Sequence, residues 1–137
     1  MNTWKKTPLL TVLKEEVEEA IKSLKTGKSA GVDNISAELI KAGGDAMIKT
    51  LHHICNKICK RNSWPKEWTQ SLVITLPKKG NLQHCNNYRT ISLISHPSKV
   101  LLRIILNRLK TQAESIIAEE QAGFRAKRST TEQIFNL

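Results

Sequence analysis

The chain has 137 residues, of which 39% are hydrophobic and 4% aromatic, and its formal net charge is +10. This length fits one modest domain or a piece of a larger one. An odd number of cysteines, three, and no signal peptide argue against a disulfide framework and for a reducing compartment. No apolar run approaches the roughly 20 residues of a membrane-spanning helix, so we expect no membrane partner.

The positive charge is concentrated in the C-terminal part of the chain. Residues 1–56 hold 8 Lys/Arg and 7 Asp/Glu, whereas residues 57–137 hold 14 and 5. Lysine and arginine release condensed counterions from phosphates, so a basic half favours a polyanionic partner. A solvated basic surface explains the same charge, and charge alone does not decide between the two.

The first part of the chain is predicted to be helical. Apolar periodicity predicts an amphipathic helix over about 11–26, a short helix near 34–42 and a third helix over about 46–61. Asp33 and Asp45 are predicted to cap the second and third helices. The predicted core residues of the first and third helices are Leu13, Val17, Ala20, Ile21, Leu24, Ile48, Leu51, Cys55 and Ile58.

Two strands follow. Residues 71–76 and 88–94 are rich in β-branched residues, and Pro77 ends the first run. An antiparallel pair is the simplest arrangement, and its loop of about ten residues is long enough to suggest a function. Upstream of the pair, Trp64 and Trp68 are interpreted as packing anchors.

The last part of the chain is predicted to be helical again, which gives an α+β fold class. Pro97 opens a helix near 98–113, and Ser129 to Glu132 form a capping box for a final helix. The residues of the 98–113 helix predicted to face a core are Val100, Leu101, Ile104, Ile105 and Leu109.

The basic residues at the predicted hairpin turn form the sharpest candidate site. Lys78, Lys79 and Arg89 flank the two strands, so a chain reversal brings them together. Lysine offers a mobile point charge and arginine a rigid fork, and both suit a triphosphate. A charged turn that protects a sheet edge is the alternative, and spacing alone favours it.

Two other segments are suited to phosphate. In the polar connection 25–34, Lys25 and Lys28 are beside glycines that let backbone N–H groups approach an anion, although an ordinary helix–helix loop has the same composition. Three more cations, Arg125, Lys127 and Arg128, lie just before a predicted helix N-terminus. A turn that packs Phe124 into the core explains that segment equally well.

Metal-ligating residues are few. His52, Cys55 and Cys59 share one predicted helix and His84–Cys85 lie elsewhere, but there is no Cys-x-x-Cys pair, and buried thiols are the default interpretation. The only aspartates are Asp33 and Asp45, and both are interpreted as helix caps. We therefore assign no catalytic or metal-binding residue.

Three segments, which follow one another along the chain, carry recognisable sequence motifs. Residues 27–35, Gly-Lys-Ser-Ala-Gly-Val-Asp-Asn-Ile, match Gly-Lys-(Ser/Ala)-Pro-Gly-x-Asp-(Gly/Asn)-Ile, with Ala30 in place of the usual proline. Leu-Pro-Lys at 76–78 and Tyr-Arg-Thr-Ile-Ser at 88–92 follow, with Thr90 where proline is common. Gln-Ala-Gly-Phe-Arg at 121–125, with Arg-Ser-Thr at 128–130, comes last. In this order, over essentially the whole chain, the motifs resemble the LINE-type (non-long-terminal-repeat) retrotransposon reverse transcriptases.

The resemblance implies the N-terminal fingers portion of a right-hand polymerase, truncated before the palm that carries the metal-binding aspartates. Nucleotide addition requires acidic ligands for two metal ions, and neither Asp33 nor Asp45 is in the family's Phe-x-Asp context, so we predict that the chain alone does not polymerise DNA. Residues 1–62 would form a helical, template-binding region and residues 63–137 the fingers. Lys78, with Lys79 as the second choice, and Arg89 would contact the incoming nucleotide. The residues that would hold template RNA are Lys25, Lys28, Arg125, Lys127 and Arg128.

The resemblance also implies partners and a place in the cell. The intact enzyme would use an RNA template, a DNA primer at a nicked target, deoxynucleoside triphosphates and Mg²⁺, and this chain would bind no metal. It would act in the nucleus and in cytoplasmic ribonucleoprotein. The alternative is a degenerate copy that is only an RNA-binding or interaction remnant. A helical DNA-binding domain is disfavoured, because such folds need no hairpin.

Overall fold

The computed structural model of the protein describes residues 11–114, 116 and 117. The chain divides into two compact units between Ile104 and Ile105. The first unit holds most of the described elements, and the second begins with the C-terminal half of the last helix. The elements are α1 (Lys14–Ser23), α2 (Ala37–Ala42), α3 (Gly44–Arg61), β1 (Ser71–Pro77), β2 (Tyr88–Ile94) and α4 (His96–Ala113). The α+β class is confirmed.

The first helix is shorter than its apolar pattern predicts. It begins at Lys14, where the Glu16 carboxylate accepts a hydrogen bond from the N–H of Leu13 at 2.9 Å, and it ends at Ser23. Leu13 precedes the helix and is 55% exposed, so its predicted core position is wrong. Val12 is buried in its place, at 1% exposure.

Neither aspartate caps a helix, contrary to the sequence prediction. The α2 helix begins later than predicted because Asn34 takes a left-handed conformation (φ 57°), and the cap is Ser36, whose hydroxyl accepts from the N–H of Leu39 at 3.1 Å. The N-cap position of α3 is Gly43, which leaves Asp45 inside the first turn. There Asp45 forms ion pairs with lysines instead of a cap.

The core of the first unit is built from apolar faces of its helices. Burying a branched aliphatic side chain contributes roughly 1.5–3 kcal/mol, so this set supplies much of the stability. On α4, two further predicted core positions differ: Ile105 is half-buried, and Leu109 is 52% exposed, so the prediction for Leu109 is wrong. The buried residues that form this core are Val17, Ala20, Ile21, Ala37, Ile40, Leu51, Cys55, Ile58, Val100, Leu101 and Ile104.

Of the two cysteines on α3, Cys55 is a core residue and Cys59 is half-buried. Burial raises the pKa of the Cys55 thiol to about 12, so it stays protonated and unreactive at neutral pH. Within the residues that the structure describes, no group of three His, Cys, Asp or Glu side chains could hold a metal ion. None of the helices in the described part of the chain is long and apolar enough to cross a membrane.

The two strands form an antiparallel hairpin, as the sequence predicts. The register pairs Ser71 with Ile94 at the base and Pro77 with Tyr88 at the far end. Every residue of β1 is exposed. Of the two strands, only β2 becomes half-buried towards the base, so the hairpin projects from the helices and is attached to them where β2 meets α4.

Candidate nucleotide and nucleic-acid interface

The far end of the hairpin brings two of the predicted cations to one face. Arg89 is opposite Leu76 in the register, and the N–H of Lys78 donates to the carbonyl of Asn87 at 2.6 Å, which extends the ladder by one pair. Side chains alternate along a strand, so Lys78, which continues the pairing of β1, is on the same face as Arg89, whereas Lys79 lies in the bend that follows. Diagonal neighbours of this kind are roughly 7–8 Å apart, a spacing that one polyphosphate can bridge.

The loop beyond these residues is ordered by its own hydrogen bonds. Asn81 accepts from the N–H of Gln83 through its side chain at 3.0 Å, and its carbonyl accepts from the Asn87 amide. The hydroxyl of Tyr88 donates to the carbonyl of Leu82 at 2.9 Å. The loop is therefore a folded platform rather than an open arch.

The cations at the hairpin end differ in what they contact. The ammonium of Lys78 donates to the carbonyl of Asn86 at 3.2 Å, which draws it towards the loop. The side chains of Lys79 and Arg89 are exposed and form no ion pair with an acid in the described part of the chain. An incoming anion would meet one partly held ammonium and a fully available guanidinium.

The base of the hairpin is attached to the connection between α1 and α2 by a partly buried polar contact. The Ser95 hydroxyl donates to one carboxylate oxygen of Asp33 at 2.6 Å. The other oxygen accepts from the N–H of Ile35 at 3.1 Å. Ser95 also caps α4, since its hydroxyl accepts from the N–H of Ser98. Asp33 thus connects two segments 62 positions apart in the sequence.

The same attachment also requires a glycine, because a side chain at position 31 would collide with the backbone at the end of β2. A Cβ atom on Gly31 would lie 2.7 Å from the carbonyl carbon of Ile94 and from the nitrogen of Ser95. Only glycine lets the two backbones approach this closely. Beside it, the buried ring of His96 contacts the carbonyl of Ser29 through Nε2 at 3.2 Å, and the carbonyl can only accept. We call Gly31, Asp33, Ser95 and His96 the junction.

The junction was missed by sequence reasoning, which assigned Asp33 to a helix cap. A usable signal was present, because Ser95 precedes Pro97 and Ser98 in the pattern of a helix start. What the sequence does not reveal is that the same serine also contacts Asp33.

The junction fixes the segment that carries two predicted RNA-binding lysines. Lys25 and Lys28 are exposed on this connection, on either side of Gly27. The N–H of Gly27 donates to the Glu38 carboxylate, and this hydrogen bond lowers the pKa of Glu38. The connection is held at both ends, so its lysines are presented from an ordered backbone.

The remaining predicted RNA-binding residues cannot be placed. Arg125, Lys127 and Arg128 lie outside the described residues, as does the capping box of Ser129 to Glu132.

The two tryptophans before β1 are not anchored in the core. Their rings lie 6.2 Å apart between centroids and are tilted by 60°, so they pack on each other. Trp64 is 38% exposed, and Trp68, at the end of a short 3₁₀ turn (Lys66–Trp68), is partly exposed. The two tryptophans therefore pack against each other, but they do not anchor the segment in the core.

Sequence comparison extends over almost the whole chain. It is 37% identical over 133 residues to the probable RNA-directed DNA polymerase from transposon BS of Drosophila melanogaster, covering 95% of this chain. It is 32% identical over 130 residues, or 93% of the chain, to the RNA-directed DNA polymerase from mobile element jockey of the same organism. At lower identity, 26% over 121 residues, it matches the transposon TX1 uncharacterized 149 kDa protein of Xenopus laevis. No protein-family model matches the chain.

The matches cover a small part of each relative. The aligned region is 15% of the BS protein, 14% of the jockey protein and 9% of the TX1 protein. The chain is therefore similar to one segment of each of these much longer polypeptides. On the agreement of several retrotransposon polymerases over about nine-tenths of its length, the chain belongs to the family of LINE-type (non-long-terminal-repeat) retrotransposon reverse transcriptases.

Proposed function

We propose that the chain is the fingers portion of an RNA-directed DNA polymerase, and that it binds the incoming nucleotide and the template RNA. The observation that supports this most is the placement of Lys78 and Arg89 on one face at the free end of an ordered hairpin. Residues 1–62 would serve as the helical, template-binding region and residues 63–137 as the fingers.

The triphosphate would lie across the hairpin end. Arg89 can offer a planar fork to two phosphate oxygens, and Lys78 a point charge to a third. Lys79, in the bend after Lys78, is the second choice. The Mg²⁺ that nucleotide addition uses would be held by carboxylates elsewhere in the enzyme, since Asp33 is engaged at the junction and Asp45 with two lysines.

Template RNA would contact the connection between α1 and α2. Lys25 and Lys28 are exposed there on a backbone fixed by the junction. Template RNA would also contact Arg125, Lys127 and Arg128. The whole enzyme would also bind a DNA primer and would include the palm region. It would act in the nucleus and in cytoplasmic ribonucleoprotein.

The test is nucleotide kinetics of the full-length polymerase with Arg89→Ala. Loss of a charge-assisted hydrogen bond costs about 1.5–3 kcal/mol, so KM for nucleotide should rise by about tenfold to a hundredfold. Arg89→Lys should recover part of the loss. Arg103→Ala, which removes another exposed arginine, is the matched control and should leave KM unchanged.

An unchanged KM in Arg89→Ala would contradict the nucleotide-binding role. If RNA affinity of the chain nevertheless persisted and fell steeply with salt, the alternative of a non-catalytic RNA-binding remnant would be favoured.

A further inference from the structure

A second cationic surface lies at the end of α3, in a segment that the proposed function does not use. Lys57, Lys60 and Arg61 are exposed and spaced by three and four residues, so they share one face of the helix. Asn62 then turns the chain in a left-handed conformation (φ 51°). Trp64, Lys66 and Trp68 follow within seven residues. These exposed or partly exposed side chains lie close together along the chain, in the segment 57–68, and we call them the basic tryptophan surface: Lys57, Lys60, Arg61, Trp64, Lys66 and Trp68.

The charge of this surface is not neutralised by ion pairs, in contrast to that of Lys14, Lys22 and Lys49. Lys14 and Lys49 both pair with Asp45 at 2.7 Å, and Lys22 pairs with Glu18 at 2.8 Å. Within the described residues, none of the four cations of the basic tryptophan surface forms an ion pair. The one acidic residue in the segment 57–68 is Glu67.

Helix stability does not account for this arrangement. Like charges three or four residues apart destabilise a helix by a few tenths of a kcal/mol per pair. Cations in the last turn gain from the helix dipole, which explains Lys60 and Arg61, but the effect falls off within that turn. Lys57 lies before the last turn and Lys66 lies outside the helix, so neither gains from it.

The tryptophans give the surface a second chemical character. Both rings are at the surface and tilted against each other, and Trp64 presents more than a third of its area to solvent. A large aromatic side chain left exposed among cations offers a flat face to which another ring can stack.

We propose that the basic tryptophan surface binds single-stranded RNA, with phosphates on Lys57, Lys60, Arg61 and Lys66 and a base stacked on Trp64. A single strand presents phosphates and unstacked ring faces together. A duplex hides its ring faces, and an acidic peptide need not supply rings. The site is distinct from Lys25, Lys28 and the hairpin end, and it does not depend on nucleotide binding by Arg89.

The experiment measures binding of the 137-residue chain to a fluorescein-labelled, mixed-sequence RNA of roughly 12 nucleotides by anisotropy. Trp64→Ala should raise Kd by about tenfold, because it removes the ring on which one base stacks. Trp64→Phe keeps an aromatic face and should retain most of the affinity.

The charge arm uses salt dependence. Each phosphate contact on a single strand contributes about 0.7 to the slope of log affinity against log salt, so Lys60→Gln/Arg61→Gln should lower the slope by about 1.4. The matched control, Lys22→Gln/Lys49→Gln, removes two charges that are paired within the protein and should leave the slope almost unchanged. Circular dichroism checks that each variant folds.

Wild-type affinity and slope in Trp64→Ala and Lys60→Gln/Arg61→Gln would overturn the proposal, as would an equal loss in the control. If Trp64→Ala does not fold, Trp64→Phe and the charge variant decide. Loss of RNA binding in Lys25→Gln/Lys28→Gln alone would place the RNA on the connection between α1 and α2. That result would support the proposed function while excluding this site.

Discussion

Ser95 has one hydroxyl group and uses it twice. The hydroxyl donates to Asp33 at 2.6 Å and accepts from the first turn of α4, so a single oxygen serves a tertiary contact and a helix cap. Because Ser95 is fully buried and its contact with the N–H of Ser98 is buried as well, bulk water cannot replace the cap. The junction thus depends on single atoms to a degree that the exposed hairpin does not.

Ser95→Ala should lower the free energy of unfolding by about 1–3 kcal/mol, because it removes the hydroxyl that donates to Asp33 and caps α4, and leaves Asp33 with the N–H of Ile35. Ser63→Ala, at an exposed serine between α3 and the tryptophans, is the control and should change it by less than about 0.5 kcal/mol. Urea denaturation measures both. Equal midpoints for the two variants would show that the contact contributes nothing.

Asp45 gives the stability a dependence on acid pH. Hydrogen bonds from Lys14 and Lys49 lower the pKa of Asp45 to about 2 from its usual 3.8. A carboxyl whose pKa is lower in the folded state stabilises the fold fully above pH 3.8 and loses that effect as pH falls towards 2.

The melting temperature of Asp45→Asn should therefore lie slightly below that of wild type at pH 6, and the difference should vanish between pH values of about 4 and 2. Added salt should shrink it at pH 6, since the pairs are exposed. A difference that stays constant across this pH range would show that the ion pairs are not responsible.

At the level of elements, the predicted bounds agree with the structure where interactions between residues close in sequence determine them. The second strand has the predicted bounds, 88–94, because β-branched residues and flanking breakers define it locally. The start of α2 was mispredicted because Asp33 and Ser36 are both good caps. The choice between them is made by the distant Ser95, which binds Asp33 and leaves Ser36 to the helix.

The position of Val12 shows the same limit. The side chain of Asn56 on α3 accepts from the N–H of Val12 at 2.8 Å and donates to its carbonyl at 3.0 Å, as a neighbouring strand would. His52 Nε2 contacts the same carbonyl at 2.9 Å. Helical periodicity favours Leu13 as the core residue, whereas this clamp holds the chain extended and turns Val12 inward.

Asn56→Ala should release the segment before α1. We expect hydrogen exchange at the Val12 amide to accelerate by about tenfold or more, because the Asn56 hydrogen bond to that amide is lost. Asn56→Asp retains an acceptor and should protect the amide better than alanine does. Equal exchange rates in wild type and Asn56→Ala would argue against the clamp.

On the scale of the whole molecule, the candidate site is partly local and partly not. That Lys78 and Arg89 come together follows from two strands and a turn, which the sequence pattern contains. The attachment of the hairpin base to the segment carrying Lys28 requires Gly31 to meet Ile94 and Asp33 to meet Ser95. A single sequence has no local signal for contacts between residues more than 60 positions apart.

The exposed hairpin has a consequence for the chain as a solute. Among the described residues no third strand pairs with the hairpin, and residues 71–76 of β1 are uncharged and mostly apolar, the features that promote edge-to-edge pairing between molecules. The net charge of +10 opposes that pairing through mutual repulsion. Salt screens the repulsion and also weakens attachment to phosphates. High ionic strength should thus weaken RNA binding and promote strand-mediated aggregation together, whereas bound RNA would hold the chain in solution only where it leaves a net charge.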